Sequence, residues 1–481
     1  MIKTEKQTAT NSEIGRTQLK RIIGAALGII VGLWIALSSP FPGLEANAMQ
    51  VLGITTFAVI FWAFGVIPDM ITALLMNVLF VLIVKIPFAT AFGGFSNSAL
   101  WLVLAAMLFS AALNSTGLIR RFSLWMLKVL PGTYFGQLLG LYLTGFVVIG
   151  PMVPSAVAKV SIPTPFALGV ARSMGLEDGS RGAAGLSLGV FISSAVLGGI
   201  AFMTGMAPNI AYIGALSADV KQQITWSGWL AAGLPIALLI GIVMFLILWL
   251  YFGKGVKAVS KEQVYSQLAE LGPMTTKEKV SGVIILATFI LWIMGSYIGV
   301  GATEAALVAM AALFLANIVS NKDLAGVSWS VWIYLGLILN IGADMTQVGV
   351  DKWLNTILGP LLVPLINNTL VFVMALTLVI TVIRLIIPSQ VTSGVLILVV
   401  LAPILANIGF NPFIVVIIMA AVSNHWLMPY LNVPYLAQYS MLDGKGHTHV
   451  QARILSVIYL GLCLIGIIMS LPLWKMLGLL N

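Results

Sequence analysis

The sequence predicts an all-α polytopic membrane protein, with about eleven transmembrane helices plus two re-entrant hairpins in an inverted repeat. Three observations carry that prediction. The first is composition: of 481 residues, 60% are hydrophobic and 8% are charged, and the mean hydropathy is +1.07. A water-soluble domain cannot bury that much apolar surface. The second is a pair of broken apolar stretches, 147–165 (VVIGPMVPSAVAKVSIPTP) and 381–403 (TVIRLIIPSQVTSGVLILVVLAP). Proline removes a backbone donor and stops a helix, and broken backbone at membrane depth is tolerated only inside protein or beside a watery cavity. The third is the distribution of Lys and Arg, which fits one orientation of the spans and not the other.

The elements follow in order. A polar tail, 1–19, leads into a first span at about 22–38, where Gly24, Gly28 and Gly32 give a small-residue face for close helix packing. No small-residue cleavage site follows, so a removable signal peptide is not expected. Further spans fall at about 49–67, 70–87 and 97–119. The first hairpin covers 136–173, and the next span begins near Asp178 and Arg181 and is interrupted at 204–209. A span at about 228–252 closes the first repeat, 20–252. A lysine-rich cytoplasmic linker, 253–280, divides the chain. The second repeat, 281–481, gives spans at about 281–298, 304–320 and 329–347, then a second hairpin, 369–408. A helix at 412–424 breaks over 425–434, and a last span covers about 454–474.

Charge sets the orientation. With the N-terminus in the cytoplasm, Arg16, Lys20, Arg21, Arg120, Arg121, Arg172, Arg181 and the linker lysines all lie inside. Only Lys85, Lys221, Lys352 and Lys475 lie outside, so the C-terminus is outside as well. The net charge of +9 therefore reports topology, with the lipid bilayer as partner and no nucleic acid. The single cysteine, Cys463, leaves no intrachain disulfide and suggests no metal cluster.

Chemistry concentrates at the two breaks. Pro154-Ser155-Ala156-Val157-Ala158-Lys159 shares Pro, Ser and Val, at the same spacing, with Pro388-Ser389-Gln390-Val391-Thr392-Ser393. A basic residue accompanies each copy, Lys159 after the first and Arg384 before the second. An intramembrane charge marks a functional site by default, and half-helix N-termini aimed inward favour an anion. Arg384 carries a fork suited to a carboxylate, although tying down the hairpin's own carbonyls would also use it. Lys159 has a structural reading too, on a nearby carbonyl. His425 opens the second helix break and is a candidate for proton coupling or a hydrogen-bonding fixture. Gly185-Leu186-Ser187-Leu188-Gly189 matches the nucleophile elbow literally, yet it lies within a span and follows no strand. His447 and His449 fall in a cytoplasmic loop and read as a solvated turn. No Walker A sequence is present, so ATP drive is not expected.

With the hairpins placed, the chain resembles the divalent anion:sodium symporter family, whose members carry dicarboxylates, citrate or sulfate. Family hairpins carry Ser-Asn-Thr at each tip. Here the tips read Ser155-Ala156-Val157 and Ser389-Gln390-Val391, so both serines are kept while both threonines and the first asparagine are replaced. The family's Gly-Thr-Pro-Pro-Asn loop appears as Gly205-Met206-Ala207-Pro208-Asn209, and its second Thr-Pro as Val433-Pro434. Asn114-Ser115-Thr116-Gly117-Leu118 before a basic pair also resembles the family. Ala158-Lys159 stands where the citrate and oxoglutarate/malate translocator branch has Ala-Arg. The resemblance implies solute binding at Ser155, Ala156, Val157, Lys159, Ser389, Gln390, Val391, Pro208, Asn209 and Pro434. Ion binding would fall to Ser155, Gly205, Ser389, Gln390 and Asn432, with Lys159, Arg384 and His425 as candidates for charge or proton coupling.

The function expected on this basis is secondary active transport of small divalent anions, di- or tricarboxylates, by alternating access. The resemblance further implies a transport domain moving against a scaffold, and a homodimer. No cofactor or metal is expected beyond Na+ or H+ as coupling ion, and exchange is the remaining option, because Ala156 and Val157 remove oxygen donors that sodium needs. The rivals are a carrier of a solute without carboxylate specificity, and an intramembrane enzyme using Ser187 or His425.

Overall fold

In the computed structural model, which describes residues 2–257 and 261–480, every regular element is a helix. The side chains of residues 2–17, Ala156 and Gln263 lie outside the described residues. Outside the hairpins the apolar helices, spans one to eleven in chain order, are Gln18–Leu37, Ala46–Phe64, Asp69–Val84, Ser98–Thr116, Arg181–Ala201, Trp226–Phe252, Thr276–Ile298, Ala302–Leu315, Trp329–Gln347, Pro412–Val422 and His449–Met476, of which the third, eighth and tenth are shorter than 18 residues. Two of these resume after a break, as Ala207–Gly214 and as Val433–Leu442. The glycine face of the first helix does what its spacing predicts: a Cβ at Gly28 would sit 2.8 Å from the Phe61 ring, and one at Gly32 2.9 Å from Phe57.

Both hairpins are present. The first runs down Tyr134–Met152, turns, and returns through Ala156–Ser161 and Thr164–Ser173. The second pairs Thr369–Ile386 with Gln390–Asn407. Each turn is short for the same reason: proline forces the residue before it into extended backbone, here Val153 (φ −119°, ψ 92°) and Ile387 (φ −106°, ψ 99°). The serine that follows starts the returning helix, with φ −67°, ψ 117° at Ser155 and φ −66°, ψ 116° at Ser389. That near-identity of backbone is the clearest mark of the repeat.

Several boundaries differ from the sequence reading. The first break covers residues 202–206, so Pro208 and Asn209 lie in the opening turn of Ala207–Gly214, where proline's missing N–H costs nothing. The helix expected from 281 begins at Thr276, because Thr275 and Glu278 form a capping box. The linker contains its own helix, Glu262–Glu270. Two surface helices were not foreseen. Leu118–Val129 joins the fourth span to the first hairpin. Val350–Ile366 turns 83° from the span before it and leads into the second hairpin. Arg121 fixes the first of these to the linker through Glu278 at 2.7 Å and the carbonyls of Leu271 and Gly272.

Candidate functional site

The two serines are caps before they are anything else. Ser155 Oγ accepts the Ala158 N–H at 3.4 Å. Ser389 Oγ accepts the Thr392 N–H at 3.3 Å and the Thr392 hydroxyl at 2.6 Å. Ser155, Ser389, Gln390, Val391, Pro208 and Pro434 are half-buried and Val157 is exposed. Gly205, Asn209, Asn432, Lys159, Arg384 and His425 are buried behind them. The Ala156 side chain, expected at the first tip, lies outside the described residues.

Hairpins and breaks meet crosswise. Gln390 Nε2 donates to the Met206 sulfur at 3.8 Å, and the Tyr212 hydroxyl donates to the Gln390 carbonyl at 2.9 Å, which seats the second tip on the first break. The first hairpin reaches that break through Thr204, whose hydroxyl donates to the Pro151 carbonyl at 2.7 Å. Gly150, Gly198 and Gly205 nest there so closely that a Cβ on Gly205 would overlap the Gly198 carbonyl oxygen. The returning arm of the first hairpin packs against Val433–Leu442, beyond the second break.

At the centre the fifth span widens into a π-helical segment, Ile192–Leu197. Such a turn shifts the hydrogen-bond ladder and leaves carbonyls for side chains to use. Lys159 Nζ donates to Ser194 O at 2.9 Å and to Gly150 O at 3.3 Å, with the residue 1% exposed. Asn424 Nδ2 donates to the next two carbonyls, Ala195 and Val196, both at 3.3 Å. Asn432 Nδ2 donates to Asn424 O at 2.8 Å, and its Oδ1 accepts the Tyr435 N–H at 3.1 Å. Asn209 closes the first break the same way, on Gly199 O at 2.6 Å and Phe202 O at 3.1 Å, while its Oδ1 has no partner among the described residues.

Arg384 is committed to backbone. Its Nε donates to Ser423 O at 3.2 Å, Nη1 to Ile387 O at 3.1 Å and to Pro388 O, and Nη2 to Leu431 O. The guanidinium thus clamps the second tip to both sides of the second break. Among the described residues, no carboxylate lies within ion-pair distance of Arg384 or Lys159; the ion pairs there are Arg121–Glu278 and Lys445–Asp443. His425 is fully buried and neither ring nitrogen has a hydrogen-bond partner among the described residues.

Sequence reasoning missed several participants. Asp344 is buried in the ninth span with both carboxylate oxygens unpartnered among the described residues, and a lone acid in an apolar run was signal enough. Asp69, at the start of the third span, lies beside Ser389 of the second tip, and Tyr334, in the ninth, bonds Thr392. The reading of His447 as solvated is corrected. It is 2% exposed, and its Nδ1 lies 3.0 Å from Ser187 Oγ. Gly446 permits this close approach, since a Cβ there would come 2.6 Å from Leu442. Burial, with His449 nearby, pushes the His447 ring down to about 3 and keeps it neutral. A cavity of about 490 Å³ lies elsewhere, between Ser98, Lys221, Trp226, Trp292 and Glu304, with Met203 of the first break on its wall.

Comparison with known proteins agrees with this architecture. The chain is 27% identical to a "Membrane protein" of Cupriavidus necator over 68% of this chain and 67% of that one. It is 32% identical to inner membrane protein YbhI of Escherichia coli over 54% and 56%. It is 27% identical to dicarboxylate transporter 1, chloroplastic, of Arabidopsis thaliana over 68% and 59%. An L-tartrate/succinate antiporter of Escherichia coli is 26% identical over 56% of each chain. The match to YbhI, the plant transporter and the antiporter thus spans little more than half of their length. The fold matches that of the Alcanivorax borkumensis YdaH transporter, with TM-score 0.57 at 15% identity over 81% of this chain and 88% of that one. The family described as the sodium:sulfate symporter transmembrane region matches residues 19–480, and the chain, a multi-pass membrane protein, belongs to that family.

Proposed function

We propose that this protein is a secondary carrier of small divalent anions, di- or tricarboxylates, which it moves by alternating access as a homodimer in the cell membrane. One observation carries the reading: two buried cations, Lys159 and Arg384, stand behind the two hairpin tips without a carboxylate against either among the described residues. Charges in a low-dielectric interior act over distance, so this pair holds the region between the tips positive, suited to a dianion. The N-terminus of Gln390–Asn407 adds its dipole and backbone donors. Ser155, Val157, Ser389, Gln390, Val391, Pro208 and Pro434 form the accessible wall, with Ala156 between them in sequence. Asn209, Gly205 and Asn432 tie the breaks together behind that wall.

The contacts also support alternating access. Ile149 and Val153 of the first hairpin pack on Leu113, Ile119 and Ile285, near the ends of spans that charge assigns to the cytoplasm. The second tip rests on Asp69, at the same end of its span. On this reading both tips sit toward the cytoplasmic face, while the 490 Å³ cavity lies at the opposite ends of the fourth and seventh spans. This arrangement fits an inward-displaced transport domain. The N-terminus is then cytoplasmic and the C-terminus outside.

The relatives that carry descriptive names are transporters, and we read no enzyme activity into the Ser187–His447 contact. Both side chains are buried, and the Ser187 hydroxyl also bonds Ala184 O at 3.0 Å. Counterflow in proteoliposomes, screened over dicarboxylates, citrate and sulfate with and without sodium, tests the proposal. Saturable counterflow of a dianion supports it, and chemical conversion of solute without transport overturns it.

A further inference from the structure

We propose that His425 takes up a proton when the dianion binds and releases it when the dianion leaves, so that the carrier moves a proton with its anion. This rests on the dianion-carrier reading above and names its coupling ion.

The hydrogen-bond accounting along the second break leads to His425. The side chains directly before and after it, Asn424 and Trp426, are committed, while Ser423 Oγ one residue further back is also without a partner among the described residues. Asn424 donates to Ala195 O and Val196 O, and its Oδ1 accepts Asn432 Nδ2 at 3.1 Å. The Trp426 N–H donates to Ser456 Oγ at 2.9 Å, and the Trp426 indole to Ala452 O at 2.7 Å. The amide oxygens of Asn424 and Asn432 are thereby occupied, and the first tip offers only apolar side chains after Ser155, so hard oxygen ligands for sodium are scarce there. His425 alone in this run is 0% exposed with both ring nitrogens unpartnered among the described residues. Buried polar groups in folded proteins are normally satisfied, and an exception calls for a functional account.

The charges around the ring supply that account. Arg384 bonds Ser423 O and Leu431 O, the carbonyls on either side of His425, and its charge acts on the ring. Lys159 bonds Ser194 O, next to the carbonyls that Asn424 holds. The other titratable groups on or against this break are Tyr430 within it, Arg453, whose Nε donates to Leu427 O at 3.2 Å, Tyr435 just after it, Tyr212, bonded to Gln390 O, and Tyr459 with Cys463, Tyr459 bonding Ala421 O; Asp69 stands beside Ser389 at the second tip. Asp69, at the tip rather than on the break, is the one carboxylic acid in this set. A proton on His425 would then be a third uncompensated positive charge, which repulsion from Arg384 opposes. A dianion arriving between the tips reverses the sign of that balance. The lone pair of the neutral imidazole accepts the proton, and the ring becomes a two-donor imidazolium. By linkage the same coupling acts both ways: protonation strengthens dianion binding by the factor by which the dianion favours protonation, roughly 5–150-fold for couplings of ordinary size.

The test uses the full chain in sodium-free proteoliposomes with fumarate as probe and a luminal pH dye, the membrane potential clamped. Both fumarate carboxyls stay ionised at neutral pH, so the probe brings no proton of its own. The expected result is luminal acidification in step with fumarate uptake. His425→Gln should lose that acidification while counterflow remains measurable. On the wild type alone, fumarate affinity should rise by at least 5-fold from alkaline to mildly acidic pH. Fumarate uptake without acidification overturns the inference, as does a flat affinity profile or wild-type proton stoichiometry in His425→Gln. Absence of counterflow with any dianion removes the carrier reading itself, and this inference with it.

Discussion

Arg384 offers the sharpest structural prediction, because its whole side chain is spent on backbone. Replacing it with methionine keeps much of the bulk and removes every donor. Four carbonyls lose their guanidinium bonds: Ile387 and Pro388 at the tip, and Ser423 and Leu431 on the two sides of the break. All four lie at or beyond helix ends, where no regular ladder serves them. Each buried carbonyl left unsatisfied costs about 1–3 kcal/mol, and part of that sum is recovered because the cost of burying the charge disappears. Even a net loss of a few kcal/mol is a large share of the roughly 5–15 kcal/mol by which folded proteins are stable. Arg384→Met should therefore lower the unfolding temperature markedly. It should also raise hydrogen exchange in 385–392 and 423–432 together. Arg384→Lys, with one ammonium in place of a fork, should fall between. Unchanged stability and exchange in Arg384→Met, with anion binding alone lost, would refute the clamp and make Arg384 a ligand.

Three further predictions follow from the same contacts. Lys159→Met removes a buried charge and leaves the Ser194 and Gly150 carbonyls without their Nζ donor, so it should melt below the wild type but by less than Arg384→Met, with two carbonyls freed rather than four. It should also weaken dianion binding by about 3 kcal/mol, roughly a hundredfold, and retained uptake with wild-type affinity would contradict the field argument. Gly205→Ala should destabilise the first break by about 1–3 kcal/mol, since its Cβ would overlap the Gly198 carbonyl; a thermal shift against wild type checks this. Cysteines at Lys257 and Lys352 should be labelled by an impermeant reagent only from the cytoplasm and only from outside, respectively, in a chain whose native Cys463 is fully buried; labelling of both from one side would overturn the orientation.

Much of the architecture was legible because it follows from backbone chemistry. Pro154 and Pro388 stop helices whatever surrounds them, and the serine after each is a helix cap by type, so both hairpins could be placed from sequence. The partners of the buried polar groups could not. A lysine or arginine inside an apolar run announces a function without saying whether it faces a solute or a carbonyl. For Lys159 that choice depends on the π-helical turn at Ile192–Leu197, which no residue type marks. The break read at 204–209 took in Pro208 and Asn209 because proline stops a helix, yet proline is as comfortable in the first turn of Ala207–Gly214. His447 looked solvated because its loop is polar; Gly446 lets that loop fold down onto Ser187. Asp344 was overlooked although a single carboxylate in the ninth span follows the same rule that singled out Lys159.

The most direct test of the account is where a bound dianion sits. Crystals soaked with bromosuccinate would locate the bromine by its anomalous signal. The account predicts a peak between residues 155–157 and 389–391, with Lys159 and Arg384 behind it. A peak confined to the cavity beside Lys221 and Trp292, with the space between the hairpin tips empty, would contradict it.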